Sequence, residues 1–167
     1  MLASAVKGCQ LLHGGSDGRR FAATSAVRRE SERMQKINTN DLPEETWTGP
    51  DGRSVIAGKE VSEALGRLPK STDPIERHPF DVEIQRVPGG AQATHFHAHS
   101  LQWEFYHVLS GSGIVRHDSG TDPIVAGDAF LFKPGESHQI TAGHDGLVMY
   151  VVADNPVGDK GTLLEPT

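Results

Sequence analysis

Residues 95–104 read HFHAHSLQWE, with His95, His97 and His99 at alternate positions and Glu104 five residues after the last of them. In an extended chain, side chains at i, i+2 and i+4 leave by the same face. The three imidazoles therefore point together, while Phe96 and Ala98 point away. Strand packing alone does not call for three imidazoles on one face; a shared ligand does. The next stretch, QWEFYHVL at 102–109, sorts in the same way. Gln102, Glu104, Tyr106 and Val108 share one face, and Trp103, Phe105, His107 and Leu109 share the other. Antiparallel pairing of the two strands would set Glu104 opposite the histidines. Imidazoles and a carboxylate converging in a barrel make a divalent metal site. His138 is a fourth candidate, just after the Pro-Gly turn of KPGESHQI at 133–140.

Outward from this stretch the texture is uniform. FDVEIQRV (80–87) alternates and stops at Pro88-Gly89-Gly90; IVRH (114–117) leads into the turn DSGTDP; IVAGDAFLF (124–132) and the apolar LVMYVVA (147–153) flank AGHDG. Short strands with Gly, Pro and Asp turns about every ten residues predict an all-β sandwich or barrel. QWEFYHVL is expected to end at Ser110–Gly113, where Gly111 and Gly113 serve a turn, and AGHDG is expected to be another turn. No helix-length apolar pattern separates the strands, which argues against a parallel α/β sheet.

The barrel is expected over residues 80–155, preceded by an irregular arm at 34–79 and followed by a tail at 156–167. In the arm, Asn40 or Asp41 is placed to open a short turn or helix. VSEALGRLP (61–69) reads as one brief helix with Ser62 as N-cap, Gly66 as terminator and Pro69 as stop. Residues 1–33 differ from the rest, with six basic and three acidic residues that carry +3 of the overall -6 and leave -9 on residues 34–167. An over-called start with Met34 as the true initiator, a disordered tail and a transit-type peptide are the three readings.

The acidic balance argues against nucleic acid as a partner, since phosphate binding needs clustered Lys and Arg. No apolar run reaches the roughly 18 residues of a membrane span. The single cysteine, Cys9, rules out a disulfide framework and a thiolate metal site, and makes the reducing cytoplasm the expected compartment.

Two motifs resemble those of the cupin superfamily. The first, G-x5-H-x-H-x4-E-x6-G, is matched by Gly90, His97, His99, Glu104 and Gly111, with six residues instead of five after the first glycine. The second, G-x5-P-x-G-x2-H-x3-N, is matched by Gly127, Gly135 and His138, with Lys133 in place of the proline and Ala142 in place of the asparagine. The resemblance covers about residues 80–155 and implies a double-stranded β-helix, the jelly-roll barrel. It implies His97, His99, Glu104 and His138 as ligands of a divalent ion, drawn from Mn, Fe, Co, Ni and Zn. The wider phrasing is similar to small bacterial cupins without a settled function. His95 and His97 with Gly89 form an alternative pair, since all three histidines share a face; the x4 spacing favours His97 and His99. His95, Gln102 and Tyr106 are then candidates for the pocket or for outer contacts, and no residue stands out as catalytic. Trp103 and Phe105 would be costly to expose on a single wall; a second subunit or the arm would cover them, and proteins of this kind often form homodimers.

Three functions follow. A metal-dependent enzyme would act on a small oxygen-rich metabolite by oxygenase, isomerase, decarboxylase or lyase chemistry, among which fold does not choose. A binding or sensing module would hold a sugar or acid without turnover. A storage barrel suits so short a chain least. No helix-turn-helix precedes the barrel, because residues 34–80 are broken by Pro and Gly.

Overall fold

The computed structural model describes residues 34–164. The readings of residues 1–33, Cys9 included, and of the last three residues lie outside the described residues. After a 3-10 turn at Thr39–Asp41, capped by the Asn38 side chain, come strands β1 (Glu45–Thr48) and β2 (Val55–Glu60) and helices α1 (Val61–Ala64) and α2 (Pro74–Arg77). The rest is strand: β3 (Asp81–Val87), β4 (His97–His99), β5 (Glu104–His117), β6 (Gly120–Val125), β7 (Ala129–Phe132), β8 (His138–Ala153) and β9 (Gly161–Leu163).

The sheet runs β1-β2-β3-β8-β4-β9, and β5 joins β8 while also pairing β6 and β7. It is a curled jelly-roll sheet whose named strands pair antiparallel, as the strand pattern predicts. Two segments expected to lie outside the barrel carry strands of this sheet. The arm is regular where β1 and β2 form a hairpin that docks on β3, and the tail returns as β9 beside β4. Both supply backbone partners to strands whose outer N–H and C=O groups would otherwise lack them.

Three local expectations change. β5 does not turn at Ser110–Gly113 but runs on to His117, with register shifts at 108/110 and 111/113. Gly111 (φ +84) is needed there because a Cβ would fall 2.1 Å from the Gly146 carbonyl oxygen; it serves a bulge and a close approach of two strands. AGHDG likewise is a corner within β8: Gly113 pairs with Ala142 while Gly111 pairs with Leu147, so residues 143–146 are skipped. In the arm helix, Ser62 lies inside α1 and Glu60 holds the N-cap position without a side-chain bond. The Ser62 hydroxyl is drawn instead to Asp81, at 2.7 Å. Gly66 (φ +91) does end that helix.

Residues directly opposite one another across a ladder share a face. One row is therefore Asp81, Ala153, Glu104 and Phe132; the next is Glu83, Val151, Tyr106 and Phe130; a third contains Gln85, Met149 and Val108. This is the inner face, and Val87, Val108, Leu147 and Met149 are fully buried on it with Ile140 and Tyr106. The opposite face of β5 and β7 keeps Trp103, Phe105, Leu109 and Leu131 at about 40% exposure, so the arm leaves them uncovered.

Candidate metal centre

His97, Glu104 and His138 each bring one ligand atom into a group whose members all lie within 4.8 Å of one another. All three residues are buried. Their convergence does not come from pairing β4 with β5. His97 sits opposite His138 on β8, whereas Glu104 sits opposite Ala153 and Phe132. The chain turns at Ser100–Trp103 and sends β5 to another part of the curled sheet, so the carboxylate meets the imidazoles across the interior. His99 stands at the edge of the group, its Nε2 3.8 Å from Glu104 Oε1 and its ring 5.1 Å from that of His97.

Each imidazole is oriented by what its other nitrogen touches. His97 Nδ1 is 2.8 Å from the His95 carbonyl oxygen. His99 Nδ1 is 2.6 Å from Asp159 Oδ2. His138 Nδ1 is 3.3 Å from the Glu136 carbonyl oxygen. The carbonyl and carboxylate partners accept, which favours a proton on each Nδ1 and leaves Nε2 as the atom available to ligate. His138 is held further by Phe132, whose ring stacks on it at 4.0 Å. His138 Nε2 and Glu104 Oε2 come within 2.9 Å, close enough for an ion pair when the ring is protonated. Two such groups this close need a positive charge between them, a proton on Nε2 or a bound cation, and the donor set fits a borderline divalent ion.

The electrostatics agree. Burial, and then the charge His138 can carry, push His97 down to about 4, so its ring is neutral and able to ligate at neutral pH. Burial works to raise Glu104, but a hydrogen bond from His138 and the charges that His138, His99 and His97 can carry outweigh it and bring the carboxyl down to about 2. The carboxylate is thus ionised and aimed inward. Gln102, buried beside it, donates from Nε2 to Glu104 Oε1 at 3.2 Å. Tyr106 is buried with its ring stacked on Phe130; burial and then the Glu104 charge hold its hydroxyl well above the usual range. His95 turns its ring away from this group, placing Nδ1 3.8 Å from Asp51 Oδ2 on the β1–β2 turn, and reaches the centre only through its carbonyl.

Two features escaped the sequence. Asp159, in the tail, is the carboxylate behind His99; although burial works to raise it, the bonds from His99, Leu101 and Ser100 keep it below the usual range. Glu60, Asp81 and Glu83 form a second close group of acids on the inner face. Arg67, fully buried, supplies the cation there at 2.9 Å from Asp81. Burial, and then Glu83, Asp81 and Glu63, push Glu60 up to about 8.

A cupin-domain family model matches residues 83–153. The oxalate-binding protein of Thermotoga maritima is 41% identical over 56 residues, which are 33% of this chain and 45% of that protein; the match spans less than half of the relative. Among solved structures, a putative sugar phosphate isomerase from Acidithiobacillus ferrooxidans superposes with a TM-score of 0.63 at 23% identity, covering 74% of each chain. A cupin-superfamily sugar phosphate isomerase from Silicibacter pomeroyi gives 0.64 at 20% identity, over 78% of this chain and 82% of the other. A predicted oxalate decarboxylase from Thermotoga maritima gives 0.57 at 18% identity, over 71% and 96%. At such identities the three structures speak for the fold alone. No helix among the described residues is long and apolar enough to cross a membrane. Fold, motifs and family match agree that residues 83–153 are a cupin domain.

Proposed function

We propose that this chain is a metal-dependent cupin enzyme acting on a small oxygen-rich metabolite, with His97, His99, Glu104 and His138 as ligands of a divalent ion. The observation that supports this most is the set of three outer acceptors on Nδ1, which fix three imidazole rings around one buried carboxylate. When bound, a Mn, Fe, Co, Ni or Zn ion supplies Lewis acidity and a template for an oxygen-bearing substrate. Gln102 holds one oxygen of Glu104 and so leaves the other free to ligate. Tyr106, kept protonated beside Glu104, is a hydrogen-bond donor in the pocket. Purified protein is expected to contain about one equivalent of metal by mass spectrometry, and the His97→Ala, His99→Ala double variant none. Wild-type protein that stays metal-free after refolding with Mn, Fe, Co, Ni and Zn would reject the ligand assignment.

A second reading is a non-catalytic barrel that binds a small acid in the cytoplasm, favoured by the likeness to the oxalate-binding protein. Calorimetric titration of metal-loaded protein with oxalate, followed by product analysis, separates the two: binding without turnover supports the second.

The exposed Trp103, Phe105, Leu109 and Leu131 favour a homodimer that buries this face. Light scattering is expected to give twice the chain mass, and Trp103→Glu with Phe105→Glu to give half of that; a monomeric wild type would reject the dimer.

A further inference from the structure

The cupin-domain match stops at Ala153, but the metal centre described above does not. Beyond it the chain turns through Asn155 (φ +41) and Gly158 (φ +87) and brings Asp159 beneath the turn that joins β4 to β5. The two oxygens of this carboxylate do different things. Oδ2 takes the Nδ1–H of His99 at 2.6 Å. Oδ1 accepts from the Leu101 N–H at 2.7 Å, the Gln102 N–H at 3.2 Å and the Ser100 hydroxyl at 3.2 Å. The backbone then locks the arrangement. Ser100 N donates to the Lys160 carbonyl and Lys160 N to the Ser100 hydroxyl. In β9, Leu163, Thr162 and Gly161 pair with His97, Ala98 and His99. Gly161 lies flat against the His99 ring, where a Cβ would come 3.4 Å from Cε1.

From this geometry we infer that Asp159 is a positioning residue for the metal centre, and that the functional unit extends through β9. The inference rests on the ligand reading proposed above. One side chain, about nine-tenths buried, ties the strand that carries His97 and His99 to the entrance of the strand that carries Glu104. It also fixes the tautomer of His99 and, as an anion on Nδ1–H, raises the electron density at Nε2. A carboxylate behind a ligating imidazole strengthens the metal bond, and its loss typically costs about 10- to 100-fold in affinity. Because Oδ1 alone serves the turn, the two roles are separable. Asp159→Asn keeps an amide oxygen for Leu101 and Gln102 but removes the negative charge from the imidazole. Ser100→Ala loosens the same turn without touching His99.

The test uses the full chain and cobalt(II) as probe. Asp159→Asn is expected to bind cobalt about 10- to 100-fold more weakly and to shift its visible d–d bands, while the metal-free melting temperature stays close to wild type. Ser100→Ala is expected to leave affinity and spectrum unchanged. Equal affinity and an identical spectrum in wild type and Asp159→Asn would overturn the inference, as would an affinity loss matched by Ser100→Ala and by a parallel fall in metal-free stability. A metal-independent arm separates this from failure of the ligand reading. Nitrogen-15 shifts of the histidine rings in metal-free protein are expected to place the His99 proton on Nδ1, and to change in Asp159→Asn. If wild type binds no cobalt, the proposed function falls while these shifts still decide the place of Asp159: an Nε2 proton, or no change in the variant, overturns it.

Discussion

Glu60→Gln is expected to stabilise the protein by an amount that grows as pH rises from 5 to 8. Glu60 lies on β2 directly opposite Glu83, with Asp81 in the same close group. Burial and these neighbours push its carboxyl from 4.5 up to about 8. Below pH 4.5 the group is protonated in both folded and unfolded chains and favours neither. Above that, the unfolded chain ionises while the folded one still holds its proton, so stability falls until the folded value is passed and then levels off. The full displacement sets a ceiling of about 5 kcal/mol. A half-buried carboxyl with water nearby realises less, on the order of 1–2 kcal/mol at pH 8. For a chain of this length that is roughly 2–8 °C in melting temperature. His97 tilts the raw curve the other way, because its lowered value makes the unfolded chain bind the extra proton between about pH 4 and 6.5. The comparison is therefore variant minus wild type, in which His97 cancels. A difference that stays flat from pH 5 to 8 would show that Glu60 does not carry this proton.

Glu104→Ala is expected to abolish the thermal stabilisation that added divalent metal gives the wild-type protein. A ligand present at about 100 times its Kd stabilises by about 2.7 kcal/mol, several degrees in a melting scan. Glu104 is the one carboxylate in the close group with His97 and His138. Without it, a divalent ion would be held by neutral imidazoles in a buried site with no compensating charge, which is costly. The affinity loss is expected to exceed the about 10- to 100-fold seen for outer partners. Glu104→Gln keeps the shape but not the charge and falls between wild type and Glu104→Ala. Melting scans with and without Mn, Co, Ni and Zn read the effect. An undiminished metal-dependent rise in Glu104→Ala would remove this residue from the ligand set.

The facing of side chains around the candidate centre was legible in residues 95–104. Parity is a property of a few consecutive residues, so the inward aim of His97 and Glu104 could be read from alternation alone. The same holds for the exposed Trp103 and Phe105, and for Tyr106, which faces inward with Glu104. His95 marks the limit of that reading. β4 begins only at His97, and the chain before it is drawn to the β1–β2 turn, so the third imidazole of the alternating set leaves for Asp51. The corner in β8 was hidden for a related reason. AGHDG has the composition of a turn, but strand pairing on both sides of it carries the ladder across.

What the amino-acid order determined by itself is the strand pattern, the inward facing of His97 and Glu104 and the acidic, cysteine-poor composition of the chain. What only the tertiary structure decided is which distant groups complete the centre. Asp159 stands 60 residues from His99, and Glu60 meets Glu83 only through the β2–β3 register. The physical reason is range. Side-chain facing follows from local backbone geometry, whereas strand register and barrel curl are settled by the burial of the whole inner face, to which every strand contributes at once.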